Sequence, residues 1–200
     1  MKRIVCLIGI LGLVAAPALA VENMSAGVKA GYNMANVAVS PDDTDTDFRS
    51  GLSLGGYVGL PINQQFSIQP EALFSMKGSE AADGSGSLKL NYIEVPVLAK
   101  ATFLPQSKAH PMLFAGPSLA YNVTAKTALG ESELDVSDSV NSFDMGLVFG
   151  GGLDYPLSNG AKSIGIDIRY TMGLTNANDS GTSTEAKNNV LSIMGTLGFL

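Results

Sequence analysis

Between Ser163 and Thr175 the chain alternates without a slip. Ile164, Ile166, Ile168, Tyr170, Met172 and Leu174 hold one phase, and Ser163, Gly165, Asp167, Arg169, Thr171, Gly173 and Thr175 hold the other. A helix would mix the two sets around its axis, whereas an extended strand sends them to opposite faces. The segment is therefore a β-strand with one apolar face and one polar, charged face. Any fold that contains it has to give each face its own environment.

Seven further segments repeat the pattern: Ser25–Val37, Phe48–Ile62, Phe66–Lys77, Leu88–Phe103, Met112–Ala125, Phe143–Tyr155 and Asn188–Leu200. Their connectors alternate in length. Those near Ile62–Gln65, Leu104–Pro111 and Pro156–Ala161 are short, while those near Ala38–Asp47, Gly78–Ser87, Leu129–Val140 and Asn176–Lys187 are longer. An even number of two-faced strands, with short turns at one end and longer loops at the other, is the signature of a membrane barrel. The expected fold is all-β: an eight-stranded antiparallel up-and-down transmembrane β-barrel.

The N-terminus supports export. Lys2 and Arg3 precede an apolar run from Ile4 to Val14, and Ala15-Ala16-Pro17-Ala18-Leu19-Ala20 supplies a small-residue cleavage site. Residues 1–20 read as a signal peptide and residues 21–200 as the barrel domain. Cys6, the one cysteine, lies inside that leader, so no thiol chemistry is expected of the mature chain. Without Lys2 and Arg3, 10 basic residues face 18 acidic ones, and no basic cluster suggests nucleic-acid binding. Hydrophobic residues make up 46% of the chain and charged ones 15%. No apolar run is long enough for a spanning helix, so a closed barrel is the form in which such a chain can live in lipid.

The polar phase decides which face sees lipid. Its charged members are Lys29, Arg49, Lys77, Lys100 and Arg169 against Glu71, Glu94, Asp144, Asp154 and Asp167. Five of each sign suits an enclosed lumen in which opposite charges pair, since an eight-stranded interior is just filled by side chains. Expected partners are Glu71 with Lys100, Glu94 with Lys29 or Arg49, and Asp144 or Asp167 with Arg169. The outward phase places Phe66, Phe103, Tyr155 and Phe199 toward the short turns, and Phe48, Phe74, Tyr121 and Phe143 toward the long loops, as two interfacial girdles. Pro70, Pro96 and Pro117 fall inside three consecutive strands. Each should force a bulge or leave a ladder bond unmade, making one weak patch of wall.

Several segments resemble a known family: F-S-I-Q-P-E-A-L-F-S-M-K-G (66–78), L-N-Y-I-E-V-P-V-L-A-K (90–100), F-A-G-P-S-L-A-Y (114–121), F-G-G-G-L-D-Y (149–155) and D-I-R-Y-T-M-G-L-T (167–175). Together they resemble the PorT-like outer-membrane β-barrel family, in order and across the mature chain. The resemblance implies an eight-stranded barrel in the outer membrane of a Gram-negative bacterium. It also implies a tie to type IX protein secretion through the family's name-giving member. The ending Leu197-Gly198-Phe199-Leu200 is similar to the aromatic-ended signal read by the barrel-assembly machinery, with Phe199 penultimate.

Catalytic chemistry is not expected. The one histidine, His110, sits in a short turn, away from external substrates. The long loops are acidic, with Asp42, Asp43, Asp45, Asp47, Glu80, Asp83, Glu131, Glu133, Asp135, Asp138, Asp179 and Glu185. Asp43-Thr44-Asp45-Thr46-Asp47 starts like a calcium loop, but Phe48 and Leu54 stand where such a loop needs Gly and Glu. No cofactor or specific metal is expected, only loosely held divalent ions bridging to lipopolysaccharide. The expected protein is a monomeric outer-membrane barrel with a structural or surface-interaction role, its termini periplasmic. Expected partners are outer-membrane lipid, lipopolysaccharide and the assembly machinery, with no nucleic acid. An accessory part in protein secretion, with secretion-system partners, and a narrow channel are the alternatives.

Overall fold

A computed structural model describes residues 24–40, 46–81, 86–104, 107–129, 132–136, 140–157, 162–176 and 185–199. The leader 1–20 lies outside the described residues, as do Asp42, Asp43, Asp45, Asp83, Glu131, Asp138 and Asp179 and the side chains of Asp47 and Glu185. The strands are β1 (Ser25–Ser40), β2 (Thr46–Pro61), β3 (Phe66–Ala81), β4 (Gly86–Thr102), β5 (His110–Leu129), β6 (Ser132–Asp135), β7 (Phe143–Pro156), β8 (Ser163–Gly173) and β9 (Glu185–Gly198). All pairings are antiparallel, β5 pairing with both β4 and β7, and β9 returning to β1 with Tyr32 opposite Ile193. The result is a closed eight-stranded antiparallel barrel, which leaves no long edge free to recruit another chain. The four-residue β6 is not a stave. It doubles back along the far end of β5, with Lys126 opposite Asp135.

The two faces separate as the alternation requires. Ile164, Ile166, Ile168, Met172 and Leu174 are exposed on the outside, together with Leu52, Leu54, Leu113, Leu119 and Phe149. Inside, Glu71 and Asp167 are 0% exposed and Lys29 and Arg169 are below 5%. A chain folding in water would invert this arrangement, since burying ions while exposing aliphatic side chains opposes the hydrophobic effect. Hydrocarbon around the wall makes both faces favourable. Of the girdle aromatics, Phe66, Phe103, Tyr155, Phe199, Phe48, Phe74 and Phe143 are exposed, but Tyr121 is buried. It lies beside the register shift at Asn91/Tyr92 and packs edge-on against Phe143, with ring centroids 5.2 Å apart.

The prolines interrupt pairing without bulging the wall. The β2–β3 ladder lapses between Tyr57↔Glu71 and Leu60↔Ile68, beside Pro70. The β3–β4 ladder lapses between Pro70↔Val97 and Leu73↔Glu94, beside Pro96. The β4–β5 ladder lapses between Pro96↔Ser118 and Ala99↔Ala115, beside Pro117. The register is unchanged across each gap, so the cost is unmade bonds rather than an inserted residue. The true register shifts are elsewhere, at Phe48/Ser53 and Asn91/Tyr92.

Strands β1 to β5 have 16 to 20 residues, whereas about 9–11 suffice to cross a bilayer. The excess is at the long-loop end. There the outer face of β4 turns from Val97, Val95 and Ile93 to Lys89, which lies directly opposite Lys126. Two lysines facing each other across a ladder repel. Glu133 of β6 relieves this by accepting from both, at 2.6 Å from Lys89 Nζ and 3.1 Å from Lys126 Nζ. Those contacts hold the Glu133 carboxyl down at about 2, well below the ordinary carboxylate range.

Candidate functional site

The inward charges form separate levels along the lumen rather than one network. At the middle sit Lys29 from β1, Glu71 from β3, and Asp167 and Arg169 from β8. Lys29 Nζ donates to Glu71 Oε1 at 2.8 Å and to Asp167 Oδ2 at 2.9 Å. Arg169 reaches Glu71 Oε2 through Nη1 at 2.6 Å, and Asp167 through Nε at 2.9 Å and Nη2 at 3.0 Å. Two cations and two carboxylates thus close a neutral ring of contacts across the lumen. Gln69 adds a donor to Glu71 Oε1 at 2.8 Å. Rings wall the group in: Lys29 Nζ lies 5.5 Å from the centre of Tyr57, and Arg169 Cζ 5.1 Å from the centre of Phe114.

Toward the short turns, Lys100 and Asp154 pair at 2.7 Å, partly open to solvent. Toward the long loops, Lys77 Nζ meets Glu94 Oε2 at 3.0 Å and lies 5.4 Å from the centre of the Tyr92 ring. Ser118 Oγ donates to Glu94 Oε1 at 2.8 Å. Asp144 is 5% exposed and, among the described residues, accepts from Thr175 Oγ1 at 2.6 Å and Asn188 Nδ2 at 2.8 Å. Arg49 donates through Nη1 to the Lys77 carbonyl.

Several expected partners are corrected by register. Glu71 does not meet Lys100, because Lys100 lies opposite Ser67, four positions nearer the short turns, and turns to Asp154. Glu94 meets neither Lys29 nor Arg49; β3–β4 pairing sets Leu73 opposite it and brings Lys77 within reach on the adjoining strand. Asp167 and Arg169 do meet, as neighbours two apart on one face of β8. Tyr57 lies on the inward phase expected of it, but Phe114, Tyr92 and Asn188 were not expected among the site's walls. Phase was the available signal for Tyr57, which shares its face with Gly51, Gly55 and Gly59, and for Phe114, which shares its face with Gly116 and Ser118. His110, expected within the short turn, opens β5 instead, opposite Asp154, its Nε2 2.9 Å from the Ser107 carbonyl oxygen.

Packing leaves little free space. Between the middle ring and the long-loop end are two voids of about 10 Å³ each, both lined in part by Lys77 and Glu94. Each has room for about one water molecule. Among the described residues no group of three or more His, Cys, Asp or Glu could hold a metal ion. Among the described residues, such a site carries charge-paired rigidity across the lumen.

Comparison with known proteins places this architecture. Residues 18–179 match the outer membrane protein beta-barrel domain family. No curated protein matches the chain. Among solved structures, Neisserial surface protein A is similar over 89% of this chain and 99% of its own, at 18% identity and a TM-score of 0.58. Also similar are Ail, the attachment invasion locus protein of Yersinia pestis, crystallised with the heparin analogue sucrose octasulfate (14% identity, 89% of this chain and 100% of that one, TM-score 0.47), and OprG from Pseudomonas aeruginosa (13%, 88% and 93%, 0.48). With an apolar exterior, a charged interior and a family match over most of its length, the chain belongs to the outer membrane protein beta-barrel domain family and is an outer-membrane β-barrel protein.

Proposed function

We propose that this barrel is a monomeric, non-enzymatic scaffold whose role is structural or surface interaction, carried out at its long-loop rim. The observation that carries this is the neutral ring of Lys29, Glu71, Asp167 and Arg169, which spans the lumen between β1, β3 and β8, with a void of about 10 Å³ beside it among the described residues. A lumen filled in this way supports the wall rather than conducting through it. The wall extension and β6 then supply the exposed polar surface. Residues 1–20 act as the signal peptide, and the short turns with both ends of the wall face the periplasm. Lipid and lipopolysaccharide surround the barrel, and the β9 end is read by the assembly machinery.

The resemblance to the PorT-like family makes an accessory role in type IX-like secretion the competing function, and a narrow channel the second. Planar-bilayer recordings of the refolded barrel are expected to show no discrete conductance steps. Reproducible steps would favour the channel. Surface-exposed loops should be cut by protease on intact cells while secretion persists in a deletion strain. Lost secretion together with co-purified secretion proteins would replace the scaffold with the accessory component.

A further inference from the structure

One stretch of the wall is held differently from the rest. Lys126 of β5 faces Lys89 of β4 on one edge and Asp135 of β6 on the other. That second edge is the one β7 takes up from Tyr121↔Phe143 toward the short turns. Strand β6 therefore continues the position of β7 beyond the point where β7 stops. Between the two, residues 122–125 of β5 pass residues 136–142, four positions against seven. A surplus of that size interrupts the ladder. Its ends stay attached, Val136 N donating to the Ala125 carbonyl at 3.0 Å and Asn122 N to the Ser142 carbonyl at 2.8 Å.

The interruption turns apolar side chains inward. Val136 and Val140 pack against the buried cluster of Leu90, Tyr92, Ala120 and Ala125, where Leu90 and Tyr92 share the lumen phase of Glu94. On the outer side, Glu133 clamps β6 to Lys89 and Lys126, but all three side chains are exposed, so the clamp adds little. Beneath the valines, Tyr92 lies opposite Asn122 and accepts from Asn188 Nδ2 at 3.3 Å. Each of these amides keeps one atom buried with no partner among the described residues, Asn122 Nδ2 and Asn188 Oδ1. Unpaired buried polar atoms oppose the closed arrangement, and opening returns them to water.

We propose that β6 with Val136 and Val140 is a strap that opens and closes the upper lumen independently of the barrel. Closed, it covers Tyr92 and the level of Lys77, Glu94 and Asp144. Open, it admits water to that level, while the ring of Lys29, Glu71, Asp167 and Arg169 still fills the lumen below. The contacts that hold it are weak: four residue pairs to β5, an exposed clamp and two half-buried valines. A segment held in this way opens well below the free energy of global unfolding. The strap adds a moving part to the rim and stands whether or not the rim binds a partner.

The test is amide exchange of the refolded full-length barrel in detergent. The Val136 and Asn122 amides should share one protection factor, at least about a hundredfold below those of Ile166 to Tyr170 in β8. Glu133→Gln on the outer side and Val140→Ser on the inner side should each speed both amides, the second by about tenfold, and leave β8 unchanged. Should either variant fail to fold, protection in the unaltered protein decides alone. Protection of Val136 and Asn122 equal to that of β8 would mean that the segment opens only when the barrel unfolds, and would overturn the strap. Different protection at the two amides, or variants that act on one of them alone, would mean piecemeal fraying and would overturn it as well.

Discussion

At the scale of single residues, the barrel depends on which partner each buried group keeps. Glu71 is the most heavily engaged, accepting from Lys29, Arg169 and Gln69. Removing it leaves Lys29 and Arg169 to share Asp167 alone, one buried positive charge in excess. Glu71→Ala is expected to destabilise the barrel by about 3–5 kcal/mol, read from urea-driven unfolding in lipid vesicles. Asp154→Ala, whose pair with Lys100 is 14–20% exposed, should cost no more than about 1 kcal/mol. Equal losses would mean that the middle ring is not the principal brace. The aromatic walls of the ring depend on glycine for room: a Cβ at Gly27 would lie 2.6 Å from Tyr57 Cε1, and one at Gly150 2.8 Å from Phe114 Cζ. Gly150→Ala should therefore displace the Phe114 ring from Arg169 and cost about 1–3 kcal/mol, measured in the same assay.

At the scale of elements, the proline row is the soft place in the wall. Three neighbouring ladders each lose two residue pairs beside Pro70, Pro96 and Pro117. Amide exchange in detergent should be faster for Ala72, Val95, Val97 and Gly116 than for Ile166 to Tyr170 in β8, whose ladders are continuous on both sides. Uniform protection across the barrel would show that the gaps are closed in solution. The β5–β6 hairpin gives a second element-level outcome. Because Lys89 and Lys126 depress the Glu133 carboxyl to about 2, their contacts are fully present above its ordinary value of 4.5. They are lost as pH falls from there through about 2. An NMR titration should place the Glu133 midpoint near 2 at low salt, moving up as salt screens this exposed group; a midpoint at 4.5 in low salt would dissolve the triad.

These elements also show what sequence could and could not give. Period-two alternation located the eight staves and sorted Asp167 and Arg169 from Ile166 and Ile168, because phase along a strand is a local property. Partner choice was not local. Whether Glu71 meets Lys100 or Lys29 depends on stagger between strands, and closure brings β1 and β8 to it from distant parts of the chain. Strand β6 escaped notice because Ser132-Glu133-Leu134-Asp135 is too short to show a period. Tyr121 keeps the outer phase expected of it, opposite Ile93 and Phe143, but is covered there, its ring packed edge-on against Phe143.

For the whole molecule, the central claim is an inverted barrel, with lipid outside and a charge-sealed interior. Position-specific costs should follow it. Ile168→Arg, on the outer face, should cost about 2–4 kcal/mol if it lies near the bilayer midplane. The mature chain as read from Val21 has no cysteine, which permits a clean test by labelling. Single cysteines from residue 164 to residue 174, each carrying a nitroxide, would be examined in lipid vesicles for collision with oxygen, which concentrates in lipid, and with a water-soluble nickel chelate. Oxygen accessibility is expected to peak at 164, 166, 168, 170, 172 and 174, with 167 and 169 shielded from both reagents. High nickel accessibility at 167 and 169 would mean an open aqueous lumen, and nickel accessibility at the even positions would contradict the barrel's orientation altogether.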